Sequence, residues 1–227
     1  MKPLYAAAFL LLTLPLFACR KAGTPQAEGP RPHDVAGQTT GIGTDNTATR
    51  IDAMAVWKGA TDACRSADPP GGDCMVEAMR ATGATPAAVA AALRLAAQGQ
   101  PGFVSGWNEQ DGVGVATLTF PLRANTNQGT WLVDGDGRSI DVDKDVLAGN
   151  TKGGAAYKAF FDQHPDTLPF APAQPAGTAP LPGGGVRLLY ATPLRRCHAC
   201  ADDGMLTLGY DFDAQRRYTG RQVVEVR

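Results

Sequence analysis

The residues best suited to chemistry in this chain are Cys197, His198 and Cys200, in the run Cys197-His198-Ala199-Cys200. Two cysteines three apart can exchange thiol for disulfide, supply half a metal site, or close a small structural ring. The flanking residues bear on the choice. A thioredoxin-like pair opens a helix whose N–H groups stabilise the thiolate, but Cys200 is followed by Ala201-Asp202-Asp203-Gly204 and then a strand pattern. Arg195 and Arg196 would favour a thiolate, and Asp202 and Asp203 would oppose it. A structural zinc ion wants four ligands, and no second CxxC or HxH completes a set with these three; His33 lies in the N-terminal segment and His164 beside Pro165. Copper(I) could recruit Met205. Covalent haem attachment requires a histidine where Ala201 stands. We read the pair as a structural disulfide in a strand-to-strand turn. The alternative is thiol–disulfide redox or copper or zinc handling through Cys197, His198 and Cys200.

Other chemistry is thinly supported. The run Asp134-Gly-Asp-Gly-Arg-Ser-Ile-Asp-Val-Asp-Lys-Asp145 has acidic residues at alternate positions, as in a calcium loop. Arg138, however, takes the place of an oxygen ligand, and Ser139 that of the glycine at the sharp turn. A polar hairpin with solvated carboxylates is expected instead. The serines, Ser66, Ser105 and Ser139, lie outside any G-x-S-x-G, and no phosphate-cradling glycine loop occurs. His164 completes an aromatic helical stripe. No cofactor and no catalytic residue is expected, so the balance leans away from an enzyme.

The elements that must position these residues change character along the chain. Met54, Trp57, Thr61 and Cys64 recur at helical spacing, which predicts a helix from about Ile51 to Ser66, ended by Pro69-Pro70-Gly71-Gly72. A second helix is expected over Asp73–Thr82. A third is capped by Thr85 with Pro86 at its first turn, and Val89, Ala92, Leu93 and Ala96 form its core stripe. After Gly102 the period becomes two: Ala116, Leu118, Phe120 and Leu122 share one face, and Val113, Val115, Thr117 and Thr119 the other. Thr130–Val133 and Ser139–Val142 flank a hairpin turn. Tyr157, Phe160, Phe161 and His164 mark a short helix. The Pro-rich stretch from Pro165 to Gly185 is expected as a loop, followed by strands at Val186–Thr192, Met205–Phe212 and about Gln222–Val226. The fold class is α+β: an N-terminal helical hairpin and helices, then a mainly antiparallel sheet.

The N-terminus carries its own signals. Lys2 precedes an uncharged apolar run from Leu4 to Phe17, too short to span a bilayer, so residues 1–18 read as a signal peptide. Leu16-Phe17-Ala18-Cys19 resembles the bacterial lipobox, although Phe17 is bulkier than usual. That resemblance implies cleavage before Cys19, lipidation of its thiol, and membrane attachment through the acyl chains. In the resemblance to enterobacterial lipoproteins, the absence of Asp after Cys19, where Arg20 stands, implies outer-membrane placement facing the periplasm. Residues 19–50 have the Gly-, Pro- and Thr-rich composition of a tether, leaving 51–227 as one domain. The chain has 227 residues with 21 basic and 22 acidic side chains, a formal −1. This balance gives no attraction to nucleic acid, although basic residues gather in the C-terminal segment. With Cys19 lipidated, four cysteines remain, an even number for an oxidising compartment. Cys64 and Cys74 face each other across the Pro-Pro-Gly-Gly turn. A bridge there closes about 11 residues and stabilises by between two and three kcal/mol in the chain-entropy model.

Three stretches together also carry a family likeness: Met79-Arg-Ala-Thr-Gly-Ala-Thr-Pro86, Phe120-Pro-Leu-Arg-Ala-Asn-Thr-Asn127, and Cys197-His-Ala-Cys200 with Tyr190 before it and Asp211-Phe-Asp213 after. From about Cys74 to Gly220 the chain resembles a group of uncharacterised exported bacterial proteins. The resemblance implies export and a single domain, and assigns no activity. A non-enzymatic, lipid-anchored module that binds a protein or cell-envelope partner is the functional expectation.

Overall fold

Two antiparallel sheets and a helical layer build the protein, and the alternation of strand residues dictates how they stack. In this computed structural model the described residues are 50–65, 71–144, 146 and 154–227, all within one compact unit, Asn46–Arg227. The segments expected as signal peptide and tether, with Cys19, fall outside them up to residue 49. The first sheet runs β1 (Phe103–Gln110), β2 (Val113–Thr119), β3 (Gln128–Val133) and β4 (Ser139–Asp141), each antiparallel to the next. Asp111 and Gly112, both with positive φ, make the tight β1–β2 turn that a two-residue hairpin requires. The second sheet has the order β5 (Leu168–Pro169), β7 (Gly185–Arg195), β8 (Gly204–Phe212) and β9 (Tyr218–Val226), and β6 (Gln174–Leu181) also pairs with β7. The mixed α+β class and its antiparallel pairing therefore hold.

Both faces of β2 are largely buried, with Thr117 exposed. Val113 and Val115 pack with Leu132 against Leu188, Tyr190, Leu208, Tyr210 and Phe212 of the second sheet. Ala116 and Leu118 pack with Val104, Trp131 and Val133 against Ile51, Ala55, Ala91 and Leu95. The helices are α1 (Asp62–Arg65), α2 (Gly72–Ala81), α3 (Pro86–Ala97) and α4 (Ala155–Gln163). Thr85 caps α3, its hydroxyl accepting from the Ala88 N–H at 3.0 Å, with Pro86 in the first turn.

Several expectations are corrected. The helix expected over 51–66 is a 3-10 turn at Ala53–Ala55, an extended stretch, and the four-residue α1. Trp57 explains the break: its backbone N–H donates to Val104 O of β1 at 2.9 Å and its ring packs edge-on against Phe103, so the sheet captures the segment. In α3 the buried residues are Ala88, Ala91, Ala92 and Leu95, while Leu93 is exposed. An alanine-rich helix is apolar nearly all round, so its contact face is set by what it meets. The Pro165–Gly185 stretch is not a loop: it holds β5 and β6. Pro175 and Pro180 are tolerated because β6 lies at the edge of its sheet, where a missing N–H breaks no ladder bond on the open side. The strand β1 carried no clear alternation because Gly106 and polar residues interrupt it.

Candidate functional site

Cys197 and Cys200 are joined by a disulfide, Cα atoms 5.1 Å apart, in the turn between β7 and β8. The turn closes through the Cys200 N–H donating to Cys197 O at 3.2 Å and the Asp203 N–H to Leu194 O at 2.8 Å. The flanking charges neutralise each other: Arg195 pairs with Asp202, and Arg196 Nε lies 3.0 Å from Asp203 Oδ2. Each arginine is thus engaged by one of the two aspartates that the sequence placed in opposition to it. Cys197 and His198 are exposed; the His198 ring meets Phe170 edge-to-face, centroids 5.7 Å apart, and its carbonyl accepts from Arg195 at 3.3 Å. Among the described residues no three His, Cys, Asp or Glu side chains are arranged to hold a metal. Cys64 and Cys74 form the second disulfide, Cα atoms 5.7 Å apart, with Cys64 buried.

The acidic hairpin is only partly the solvated turn expected. Asp134 is fully buried, at 0% exposure, and accepts from the backbone N–H groups of Asp136, Arg138 and Tyr218. The Arg138 guanidinium donates to it twice more, at 3.1 and 2.9 Å. Burial pushes the Asp134 carboxyl up, but the N–H bonds from Arg138 and Tyr218 and the Arg138 charge outweigh it and hold the group below its ordinary range. Arg138 thus fills with its own cation the place a calcium ligand would need. This clasp ties the β3–β4 turn to the start of β9.

Beyond that turn lies a groove along β4. Three clefts of about 310, 470 and 530 Å³ run together, the first two sharing Asp141 and Lys144 and the last two sharing Tyr218 and Arg221. Its middle is floored by Trp131 and Ser139. Trp131 is 1% exposed, and Trp131 Nε1 and Ser139 Oγ are both buried with no hydrogen-bond partner. Such groups are rare in a settled interior, since each forfeits its desolvation cost. At the first end Arg123 lies flat over Phe120, 3.6 Å from the ring centroid, and donates to Gln100 Oε1 at 3.2 Å. Asp143 Oδ1 accepts from the Ala173 N–H at 2.7 Å, while Oδ2 is buried. Burial pushes this carboxyl up to about 6; Asp141 adds to the rise, and the N–H groups of Ala173 and Thr130 and the charge of Arg123 work against it. Gly129 borders the same spot, where a Cβ would stand 3.3 Å from Asp143 Oδ2 and closer still to Phe120. On the facing sheet the buried Tyr190 hydroxyl is also unpartnered, and burial with the nearby Asp143 pushes it up to about 12.

The structure therefore leaves Cys197, His198 and Cys200 together on an exposed turn and assembles a separate groove from Arg123, Trp131, Ser139, Asp141, Asp143 and Lys144. Part of this was visible in the sequence as the alternating Asp run. Arg123, Trp131 and Gly129 carried no signal, because only strand pairing brings them beside β4. No protein-family model matches the chain, and no curated protein or solved structure matches it.

Proposed function

We propose that this chain is a lipid-anchored, non-enzymatic binding module of the cell envelope, facing the periplasm from the outer membrane, and that the β4 groove is its binding surface. The lipobox-like Leu16-Phe17-Ala18-Cys19 supports the anchor, and Arg20 after it the outer-membrane placement. Among the described residues no helix is long and apolar enough to cross a membrane. In this reading α1 and α2 form a helical hairpin clipped by Cys64–Cys74, bracing the N-terminal end of the domain. The observation that carries the binding role is the groove itself: three adjoining clefts along β4 with a guanidinium held over Phe120 at one end. A protein or an envelope polymer could seat there against those exposed polar and charged side chains. The test is a photoreactive side chain placed at Lys144 of the full-length protein, with Glu109 on the far edge strand β1 as control, irradiated in intact cells. Adducts specific to position 144 are expected; equal labelling at both positions, or none at 144, overturns the proposal.

A second reading is favoured by one observation, the exposure of Cys197 and His198 at the end of β7. An accessible disulfide can be attacked by a thiolate, which forms a mixed disulfide and releases one cysteine of the pair as a thiol. Thiol titration of the full-length protein in glutathione buffers of graded potential separates the two readings. Four cysteines that stay oxidised make both bridges structural. Selective reduction of the Cys197–Cys200 bridge at glutathione potentials would instead give the thiol–disulfide role the lead.

A further inference from the structure

The groove runs beside a strand edge whose outward backbone groups make no ladder bond among the described residues, and that edge defines its occupant. Arg138 O accepts from the Asp134 N–H, and the Val142 N–H donates to Thr130 O, while Leu132 faces Ile140. In an antiparallel ladder, bonded and non-bonded pairs alternate, so Ser139 and Asp141, opposite Val133 and Trp131, are the non-bonded pairs. Their backbone N–H and C=O groups point away from β3, toward the groove. β4 is the last strand of its sheet. We propose that an extended acidic peptide segment binds here by adding a strand to β4, a deepening that rests on the groove being the binding surface.

Charge selects the acidic class. Arg123 and Lys144 line the first cleft, and among the described residues neither takes part in an ion pair. Arg123 is held by Phe120, Gln100 and the Thr126 carbonyl, with the remaining guanidinium N–H groups left over, so binding a carboxylate requires little further ordering. At the opposite end Arg138 keeps more than half of its side chain exposed while anchored on Asp134. Asp141 and Asp143 line the same cleft, and each carboxylate is engaged by a backbone N–H of the protein itself. Asp143 is turned inward to the Ala173 N–H, and Asp141 Oδ1 accepts from the Asp143 N–H at 2.9 Å. Added strands gain affinity from main-chain bonds and specificity from alternate side chains. Here the backbone would pair with Ser139 and Asp141, and the acidic side chains on one face would reach Arg123 and Lys144.

The probe is a seven-residue peptide alternating Glu and Val, capped by acetyl and amide groups, titrated against the full-length protein in detergent by calorimetry. Binding is expected, at least about tenfold tighter than for the same peptide with Lys in place of Glu, and weaker at high salt. Arg123→Gln and Lys144→Gln, the latter at an exposed position, should each weaken it, and their effect should vanish with the Lys peptide. N-methylation of one alternate set of peptide nitrogens should abolish binding while the other set leaves it intact. Equal binding of Glu and Lys peptides, indifference to both N-methyl sets, or no binding at millimolar peptide would overturn the proposal. If photo-adducts at Lys144 persist in that case, only the occupant is wrong; if they are absent too, the groove reading falls with it.

Discussion

At the scale of single residues, two carboxylates from one acidic run have opposite fates, and pH separates them. Asp134 accepts five hydrogen bonds in full burial, three of them from Arg138. Asp134→Ala would strand the N–H groups of Arg138 and Tyr218 and should cost about 3 kcal/mol in urea unfolding. Its folded pKa is depressed, so its contribution is present above the unfolded value of 3.8 and is lost as pH falls through the lower folded value. Asp143 runs the other way. With its folded pKa raised to about 6 against 3.8 unfolded, the folded state holds the proton more tightly. Its contribution is complete below 3.8 and is lost as pH rises through about 6. Asp143→Asn keeps an acceptor for Ala173 and should remove that loss. The variant should therefore gain about 1–2 kcal/mol on the parent between pH 4.5 and 7.5. A parent protein whose unfolding free energy does not change differently from the variant over that interval would contradict the assignment.

At the scale of elements, local rules succeed where a side chain caps or turns the backbone and fail where packing decides. Thr85 not only caps α3 but donates its hydroxyl to Met54 O, joining the helix to the 3-10 turn before it. Thr85→Ala loses both bonds and should destabilise the domain by about 1–2 kcal/mol, read as a shift in the denaturation midpoint at constant slope. The strand pattern of β2 was legible because both of its faces are apolar. That of β6 was hidden, because prolines are read as loop signals and only an edge position makes them acceptable. The 51–66 segment shows the reverse error: a helical spacing of Met54, Trp57, Thr61 and Cys64 is overridden by one backbone bond from Trp57 to β1 and the burial of its ring.

For the whole molecule, the proposed anchor and the proposed groove are separable functions. Cys19→Ser should abolish acylation, measured by mass and by metabolic labelling, and move the protein from the membrane to the soluble envelope fraction. Membrane retention by that variant would contradict lipidation at Cys19. The groove should be unaffected, since its residues all lie between positions 98 and 222. The two disulfides divide in the same way. Cys64 is buried beside the helices, whereas Cys197 stands exposed at a turn, so reductant should reach the second first.

By itself the sequence determined the helix α2, the cap of α3, the hairpin at Asp134–Arg138, the short helix before Pro165, the last three strands and both cysteine pairs. Each is written in local terms: a periodicity, a turn residue, a spacing between cysteines. Only the tertiary structure decided which face of α3 is buried, that Asp134 is a buried clasp, and that Arg123, Trp131 and Asp143 line one groove. Those three residues lie on successive segments, the loop after β2, β3 and the stretch just after β4, and they meet only through the pairing of β3 with β4 and the packing of that loop, which no residue pattern encodes. The exposure of Cys197 was equally outside the reach of spacing, because it depends on how the β7–β8 turn projects from the sheet.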